Sequence, residues 1–416
     1  MFRYVPFLLA AFLTLAGVSP VDAEQQARHA TFRPAPIQLE FPANKTWVEV
    51  PFRLDATKIV LPLSINGSEP VEAVLDTGAS SALLLDHEVA AGIDFDIVGQ
   101  VQVQGAGHGG EMPPVEMAQG VRFGLGEATL VDTTLAVMRG PNPMAKKDWQ
   151  AIIGQQIFAN LVVQIDWQKQ VLRLADPTRF EAPAGAVAVP IEQRGGHTYV
   201  SGELTIEGGE AQAVQLVVDS GAFHALALDG RKIEGLPQER IEGAKLGRGL
   251  GGVITGSIGR VSKLTLGGFT FDNVLANFPD AGYADIITSR THGNLGAEIL
   301  RRFQVTFDYS RQHMLLEPGE SIDEGFGFST AGLAFFPALT DAGGGTVDDL
   351  YADSPAVRAG LELGDEIMKI DGRAMSEIGL DEARELLRQQ PGTKVKLDVQ
   401  RGDKTFAVEL ELAELL

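Results

Sequence analysis

The chain is long, acidic and without cysteine. Its 416 residues exceed one ordinary domain, so two or three domains are expected. A net charge of −21 opposes binding to nucleic-acid phosphates or to anionic membranes. The lack of cysteine excludes disulfides, a thiol nucleophile and cysteine-ligated metal, and it suits an oxidising compartment.

The first residues have the pattern of a secretory signal peptide. Arg3 supplies a positive charge, Val5 to Val18 are largely apolar, and Ala23 ends a small-residue cleavage motif. We therefore predict a signal peptide over residues 1–23, cleavage before Glu24, and a secreted or periplasmic protein. The alternative is an uncleaved anchor, which the short apolar stretch disfavours.

Two segments 143 residues apart have nearly the same sequence. Each is an apolar run that ends in Asp-[Thr/Ser]-Gly-Ala: Val74-Leu75-Asp76-Thr77-Gly78-Ala79 and Val218-Asp219-Ser220-Gly221-Ala222. Further along, Ile152-Ile153-Gly154 corresponds to Asn294-Leu295-Gly296, which departs from the pattern by its polar first residue. Several such blocks recur in one order at a near-constant offset, so the chain contains an internal duplication of about 140 residues.

The duplication supplies two aspartates in equivalent positions. Two carboxyl groups a few ångströms apart cannot both ionise cheaply, so they share one proton. One can then act as a base on a water molecule and the other as an acid on a peptide carbonyl oxygen. We predict that Asp76 and Asp219 form such a catalytic pair. The alternative is that each aspartate only begins a turn after a strand.

Other chemistries find little support in the sequence. The motifs HExxH and GxSxG are absent, and the seven histidines are dispersed. His108 and His224 lie near the expected cleft, where we predict polar lining residues rather than ligands. Neither a metal nor a cofactor is therefore expected.

Two glycine-rich clusters follow the aspartates at corresponding positions. Neither leads into a helix, as a phosphate-binding loop would. Hairpin tips that close over a substrate fit better, and plain surface hairpins are the alternative. The predicted flap residues are Gly105, Gly107, Gly109, Gly110, Gly247, Gly249, Gly251 and Gly252.

The C-terminal part has a different pattern. Residues 354–360 (SPAVRAG) combine a serine cap, a proline at the first helical position and a terminal glycine. Together with residues 363–372 (LGDEIMKIDG), they resemble the core signature of a PDZ domain of the bacterial protease-associated type. The resemblance implies a groove helix over Glu382–Gln389. It implies a peptide-binding loop formed by Gly332, Leu333, Ala334 and Phe335.

The two duplicated lobes resemble retropepsin-like aspartic proteases, and the whole chain resembles the bacterial exported aspartyl proteases with a C-terminal PDZ domain. This implies a mainly β fold with two tandem retropepsin-like β-barrel lobes in a pseudo-two-fold arrangement, followed by an α+β PDZ domain. It also implies that Thr77 and Ser220 bond across the lobe interface. Gly78 and Gly221 would allow close backbone approach.

Proline-containing or polar segments mark the domain boundaries. The predicted order is a signal peptide (1–23), a loose leader (24–45), a first lobe (46–180), a second lobe (187–318) and a PDZ domain (326–416).

The sequence thus predicts an aspartic endopeptidase that acts on protein or peptide substrates as a monomer. The PDZ domain would recruit substrate, or gate the protease by binding a C-terminal peptide, including the chain's own Leu415-Leu416. It could instead only pack against the second lobe. If the PDZ domain only tethers substrate, its deletion should have little effect on the hydrolysis of short peptides. The rival function is a non-catalytic peptide-binding envelope protein that keeps the protease fold.

Overall fold

The computed structural model of the protein describes residues 36–416, except for position 56 and the segments 102–104, 106–107, 110–114, 141–147, 282–290 and 338–343. The predicted signal peptide and much of the predicted leader therefore lie outside the described residues. Within the described part, no helix is long and apolar enough to cross a membrane.

The first lobe is a closed six-stranded barrel. Parallel pairing places Ala151–Ile153 beside Val71–Leu75, the strand that leads to Asp76. The barrel strands are Lys58–Ile65, Val71–Leu75, Leu83–Leu84, Val115–Leu125, Ala128–Val137 and Ala151–Ile153. Outside them lie the strands Gln38–Glu40, Arg53–Asp55 and Asp96–Val101 and the helices His87–Ala91 and Gln155–Asn160.

The second lobe repeats this barrel, as the duplication predicts. Here Gly293–Gly296 pairs in parallel with Ala211–Asp219, the strand that ends at the second aspartate. The barrel strands are His197–Thr205, Ala211–Asp219, Leu226–Leu228, Gly252–Leu266, Phe269–Pro279 and Gly293–Gly296. The lobe also holds the strand Arg240–Gly249, the helix Ala297–Leu300 and the 3-10 helix Tyr309–Arg311.

A further sheet joins the two lobes. At its centre, Ile165 of the first lobe pairs with Val305 of the second, and Gln164 Nε2 donates to Thr306 Oγ1 at 3.0 Å. Ile165 and Val305 are fully buried, and burying each stabilises the folded chain by roughly 1.5–3 kcal/mol. The lobes therefore share one core. The strands are, in order, Val187–Arg194, His313–Pro318, Phe303–Asp308, Val162–Asp166, Val171–Ala175 and Val48–Pro51.

The third domain is a sheet of short antiparallel strands with two helices. Ser354 caps the first helix by accepting a hydrogen bond from Val357 N at 3.3 Å. The second helix contains a break at Gly379 and ends at Leu386 rather than at Gln389. Its strands are Leu333–Pro337, Gly345–Leu350, Glu366–Ile370, Arg373–Ala374, Lys394–Arg401 and Lys404–Glu411, and its helices are Pro355–Arg358 and Met375–Leu386.

The connection into the third domain is anchored on the second lobe. Arg302 is fully buried, and its guanidinium lies 3.9 Å from the centroid of the Phe326 ring. It also donates to the carbonyl oxygens of Ser321, Glu324 and Gly325. Phe326, the first residue of the predicted PDZ domain, therefore packs in the core of the second lobe.

Candidate active site

The two predicted catalytic aspartates meet between the lobes. Asp76 directly follows the buried strand Val71–Leu75, and Asp219 is the last residue of the strand Ala211–Asp219. Their carboxyl groups are hydrogen-bonded to each other. A Cβ atom at Gly221 would lie only 2.5 Å from the Cγ atom of Asp76. A Cβ atom at Gly78 would lie 2.9 Å from the Cγ atom of Asp219. Each loop glycine thus leaves room for the carboxyl group of the opposite lobe.

Thr77 and Ser220 lock the two loops together. The Thr77 amide donates to Ser220 Oγ at 3.1 Å, and the Ser220 amide donates to Thr77 Oγ1 at 2.9 Å. The hydroxyl groups also donate hydrogen bonds across the interface. Thr77 Oγ1 donates to the Val218 carbonyl oxygen at 2.8 Å, and Ser220 Oγ donates to the Leu75 carbonyl oxygen at 3.1 Å. Both side chains are fully buried, so all four hydrogen bonds form away from water.

Within each loop, a glycine amide fixes one carboxyl oxygen. Gly78 N donates to Asp76 Oδ1 at 2.7 Å, and Gly221 N donates to Asp219 Oδ1 at 3.0 Å. The backbone therefore orients one oxygen of each carboxyl group.

Each catalytic loop is followed in the repeated sequence by a glycine, and the structure shows why glycine is required there. Gly154 lies against the carbonyl oxygens of Asp76 and Ala79, and Gly296 lies against the carbonyl oxygen of His224. A Cβ atom at either position would collide with backbone. These glycines let the strands beneath each loop support the aspartates closely.

The electrostatics of the pair are uneven. Burial and, next, the charge of Asp219 raise the pKa of Asp76 to about 8, while the Gly78 amide and Lys58 oppose this. Asp76 is therefore protonated at neutral pH. One proton is thus available to the pair under conditions in which ordinary aspartates have lost theirs.

A second asymmetry lies at Asn294, the residue that departs from the duplicated pattern. Asn294 is fully buried, and its Nδ2 atom donates to Asp219 Oδ2 at 2.7 Å. Ile152 occupies the corresponding position in the first lobe and has no polar group to offer. The departure therefore places a donor on one carboxyl group of the pair.

Two histidines lie close to the aspartates. Burial lowers the pKa of His224 to about 4, against the opposing effects of Asp219 and Asn294. Burial also lowers the pKa of His197, again opposed by Asp219. Both imidazoles are thus neutral lining groups at neutral pH. His224 was expected near the cleft, whereas His197 was missed, because it lies outside the duplicated motifs. The side chain of His108 is not among those described.

The predicted flaps of the two lobes contact each other. Gly109 pairs with Gly252, and Gly105 lies against Leu250 and the Gly251 amide. Leu250 packs against an apolar cluster of the first lobe. In the second flap, Gly249 pairs with Gly252, and Gly247 lies near the exposed ring of Phe223. Gly107 and Gly110 lie outside the described residues.

The predicted peptide-binding loop of the third domain begins at Gly332, which has a φ of +74°. Its amide donates to Ser329 Oγ at 3.1 Å. Leu333 and Phe335 belong to the domain core, and Ala334 is half-buried. The strand Leu333–Pro337 forms one edge of the described sheet, where an added peptide strand could pair.

The described residues contain no candidate metal site. Among the described residues, no group of three or more His, Asp or Glu side chains is arranged to hold a metal ion. The polar groups that converge on the cleft are instead the two aspartates, their loop amides and Asn294.

Comparison with known proteins matches each part of this architecture. The aspartyl protease family model matches residues 61–157 and again 202–299, and the PDZ domain model matches residues 346–401. A probable CtpA-like serine protease of Staphylococcus haemolyticus is 33% identical over 63 residues, which is 15% of this chain and 13% of that protein. The carboxy-terminal processing protease CtpA of Bacillus subtilis is 41% identical over 49 residues, 12% of this chain and 10% of that protein.

These two similarities are local, since the chain spans about a tenth of the length of the curated relatives it matches. The family matches, in contrast, cover both barrels and the third domain in the order that the structure shows. Two tandem segments of the chain therefore match the aspartyl protease family, and a C-terminal segment that follows them matches the PDZ domain family.

Proposed function

We propose that the protein is an aspartic endopeptidase whose reaction is carried by Asp76 and Asp219. The supporting observation is that the two carboxyl groups are hydrogen-bonded to each other between loops that lock reciprocally. A binding protein has no need to hold two carboxyl groups in contact, because their mutual repulsion and burial are costly.

The arrangement suits hydrolysis without a covalent intermediate. The ionised carboxylate takes a proton from water as the water oxygen bonds to the peptide carbonyl carbon. The protonated carboxyl group gives its proton to the carbonyl oxygen. Collapse of the tetrahedral intermediate then breaks the C–N bond. The carboxyl group that took the proton from water gives it to the leaving nitrogen, and the other carboxylate takes back a hydroxyl proton of the intermediate, which restores the one-proton pair. The loop amides of Gly78 and Gly221 keep both carboxyl groups in place throughout.

A single chain supplies both halves of this site, so we propose a catalytically active monomer. The predicted signal peptide makes a secreted or periplasmic enzyme part of the same proposal. The two lobes differ in sequence around the shared motif. The site can therefore bind different side chains on the two sides of the cleaved peptide bond.

The first test is cleavage of a denatured, unstructured protein by the chain beginning at Glu24. We expect cleavage from acidic to neutral pH, with a loss above about pH 8, because Asp76 then ionises and its proton is no longer available. A peptide with a hydroxyl-bearing tetrahedral isostere should inhibit. Inhibition by a serine-directed phosphonate would contradict the proposal. Specific peptide binding without cleavage at any pH would support the non-catalytic rival.

For the PDZ domain, we infer a regulatory role through the flap of the second lobe. Lys245, in the flap strand, donates from its amide to Asp349 Oδ2 at 2.6 Å and from Nζ to the Asp348 carbonyl at 2.5 Å. Beside this contact, Leu246 and Tyr351 belong to one buried apolar cluster. The domain is thus docked on the strand Arg240–Gly249, which carries predicted flap residues of the second lobe.

The C-terminal residues are part of this docking surface. Leu415 and Leu416 pack on the same cluster, and the Leu416 carbonyl accepts a hydrogen bond from Arg260 Nε at 3.2 Å. Leu415 and Leu416 therefore lie at the boundary between the PDZ domain and the strands of the second lobe that carry the predicted flap. This placement favours control of the flap over a freely moving substrate tether.

The second test removes residues 414–416. We expect kcat/KM for a short, C-terminally amidated peptide to fall about three- to tenfold, because partly buried leucines each contribute on the order of 1 kcal/mol to holding the flap strand. Glu414→Ala is the matched control, since its side chain is exposed. A larger deletion should begin after Gly327, which keeps Phe326 in the second lobe. Unchanged short-peptide kinetics with impaired protein cleavage would instead establish a tether.

A further inference from the structure

The two halves of the candidate active site differ most in what lies beneath the aspartates. In the second lobe, the buried amide of Asn294 donates to Asp219 Oδ2 at 2.7 Å. In the first lobe, the corresponding residue is Ile152, which pairs with Val74, two residues before Asp76. A hydrogen bond to a carboxylate favours its ionised form, and an isoleucine side chain has no such effect.

We propose that Asn294 is a positioning residue whose amide holds and orients the Asp219 carboxyl group, so that Asp219 is the general base and Asp76 the general acid. This assignment rests on the proposed aspartic endopeptidase function. It goes further, because two aspartates in a symmetrical site would have no fixed roles, whereas here one amide distinguishes them.

The surroundings of Asn294 support the orientation of its amide. An ionised carboxylate can only accept hydrogen bonds, so the Nδ2 group must face Asp219 and Oδ1 must face away. The Oδ1 atom of Asn294 and the Nε2 atom of His224 are both buried and have no hydrogen-bond partner among the described residues. Asn294 partly offsets the lowering of the His224 pKa by burial. A neutral imidazole that carries its proton on Nε2 would stabilise this amide orientation.

The other charged or titratable groups around the pair agree with this assignment. Burial lowers the pKa of His224 to about 4 and also lowers that of His197, so both are neutral when the pair holds one proton. Lys58, at the start of its strand in the first lobe, opposes the protonation of Asp76. Burial and the charge of Asp219 outweigh it, and Asp76 retains the proton.

The test is the pH profile of kcat/KM for Asn294→Leu, which puts an apolar side chain of similar size at this position, as in the first lobe. Loss of the amide should move the acidic limb of the profile up by about one pH unit, because a charge-assisted hydrogen bond is lost. The alkaline limb, set by Asp76, should stay in place. A structural role alone would lower the amplitude and leave both limbs unmoved, which would overturn the proposal.

Folding is monitored by thermal unfolding, and Asn294→Ala is measured beside the leucine variant, so that the shift of the acidic limb can be measured with either variant.

The double variant Asn294→Leu/Ile152→Asn moves the amide to the first lobe. It should exchange the roles of the aspartates and return the acidic limb toward its original position, and a limb that stays shifted would count against the proposal. If the wild-type chain shows no cleavage dependent on both aspartates, the proposed function itself fails. If it does and Asn294→Leu keeps the acidic limb, only the role of Asn294 fails.

Discussion

Replacing either Asp76 or Asp219 by asparagine is expected to reduce kcat by at least about 10³-fold, because acid–base catalysis and the shared proton are both lost. Asparagine has nearly the same shape as aspartate, and its Oδ1 atom can still accept the hydrogen bond from Gly78 or Gly221. The loops and the Thr77–Ser220 lock should therefore persist. The measurement is single-turnover peptide hydrolysis by the purified variants, with circular dichroism as the check of fold.

The same substitution at Asp76 should leave the protein as stable or make it more stable at neutral pH. The raised pKa means that folding at neutral pH requires Asp76 to take up a proton that it lacks in the unfolded chain, which destabilises the folded state. Asparagine removes that cost. Asp272→Asn is the control, because its side chain is 76% exposed and lies outside the site. Full activity in either Asp76→Asn or Asp219→Asn would exclude a two-aspartate mechanism.

The two equivalent lobes could be predicted from the sequence because a duplication makes a weak signal specific, whereas their β-barrel fold was what the resemblance to retropepsin-like proteases implied. One Asp-Thr-Gly triplet predicts little, but two triplets followed by matching strands define two equivalent lobes. The flap glycines are predicted in the same way. The residues that repeat in the sequence are those at which two backbone segments come into close contact, such as Gly154 and Gly296.

Features that depend on pairing between distant segments could not be predicted in the same way. The sheet that joins the lobes pairs Ile165 with Val305, and nothing in either strand specifies its partner. The docking of Lys245 on Asp349 depends on how separate domains pack. A surface lysine and a surface aspartate look the same in sequence whether or not they meet.

Asn294 lies between these two cases. The duplication made it visible as a polar residue where its counterpart is Ile152, and it left the support of the second lobe in question. The structure shows that this polar residue bonds to Asp219 itself. A break in an internal repeat can therefore mark where two equivalent halves take different roles.

Gly221→Ala is expected to lower kcat/KM by about 10²-fold, because its Cβ atom would lie 2.5–2.7 Å from the Cγ, Oδ1 and Oδ2 atoms of Asp76. Real Cβ contacts are not so short, so the Asp76 carboxyl group must move, and a shift of about 1 Å in a reacting group costs about that much in rate. The loop backbone has no left-handed torsion at Gly221, so the substitution adds no backbone strain of that kind.

The pseudo-two-fold relation provides a graded series for this prediction. Gly78→Ala places its Cβ atom 2.9–3.1 Å from the Asp219 carboxyl group, a milder overlap, and should reduce kcat/KM less than Gly221→Ala does. Gly99→Ala is the matched control, because nothing lies within 4 Å of its added Cβ atom and its φ is outside the left-handed region. Steady-state kinetics on one peptide, with the melting temperature of each variant, gives the order. If Gly78→Ala and Gly221→Ala lost activity equally, or only in proportion to lost stability, contact with the opposite aspartate would not be the reason that glycine is required in these loops.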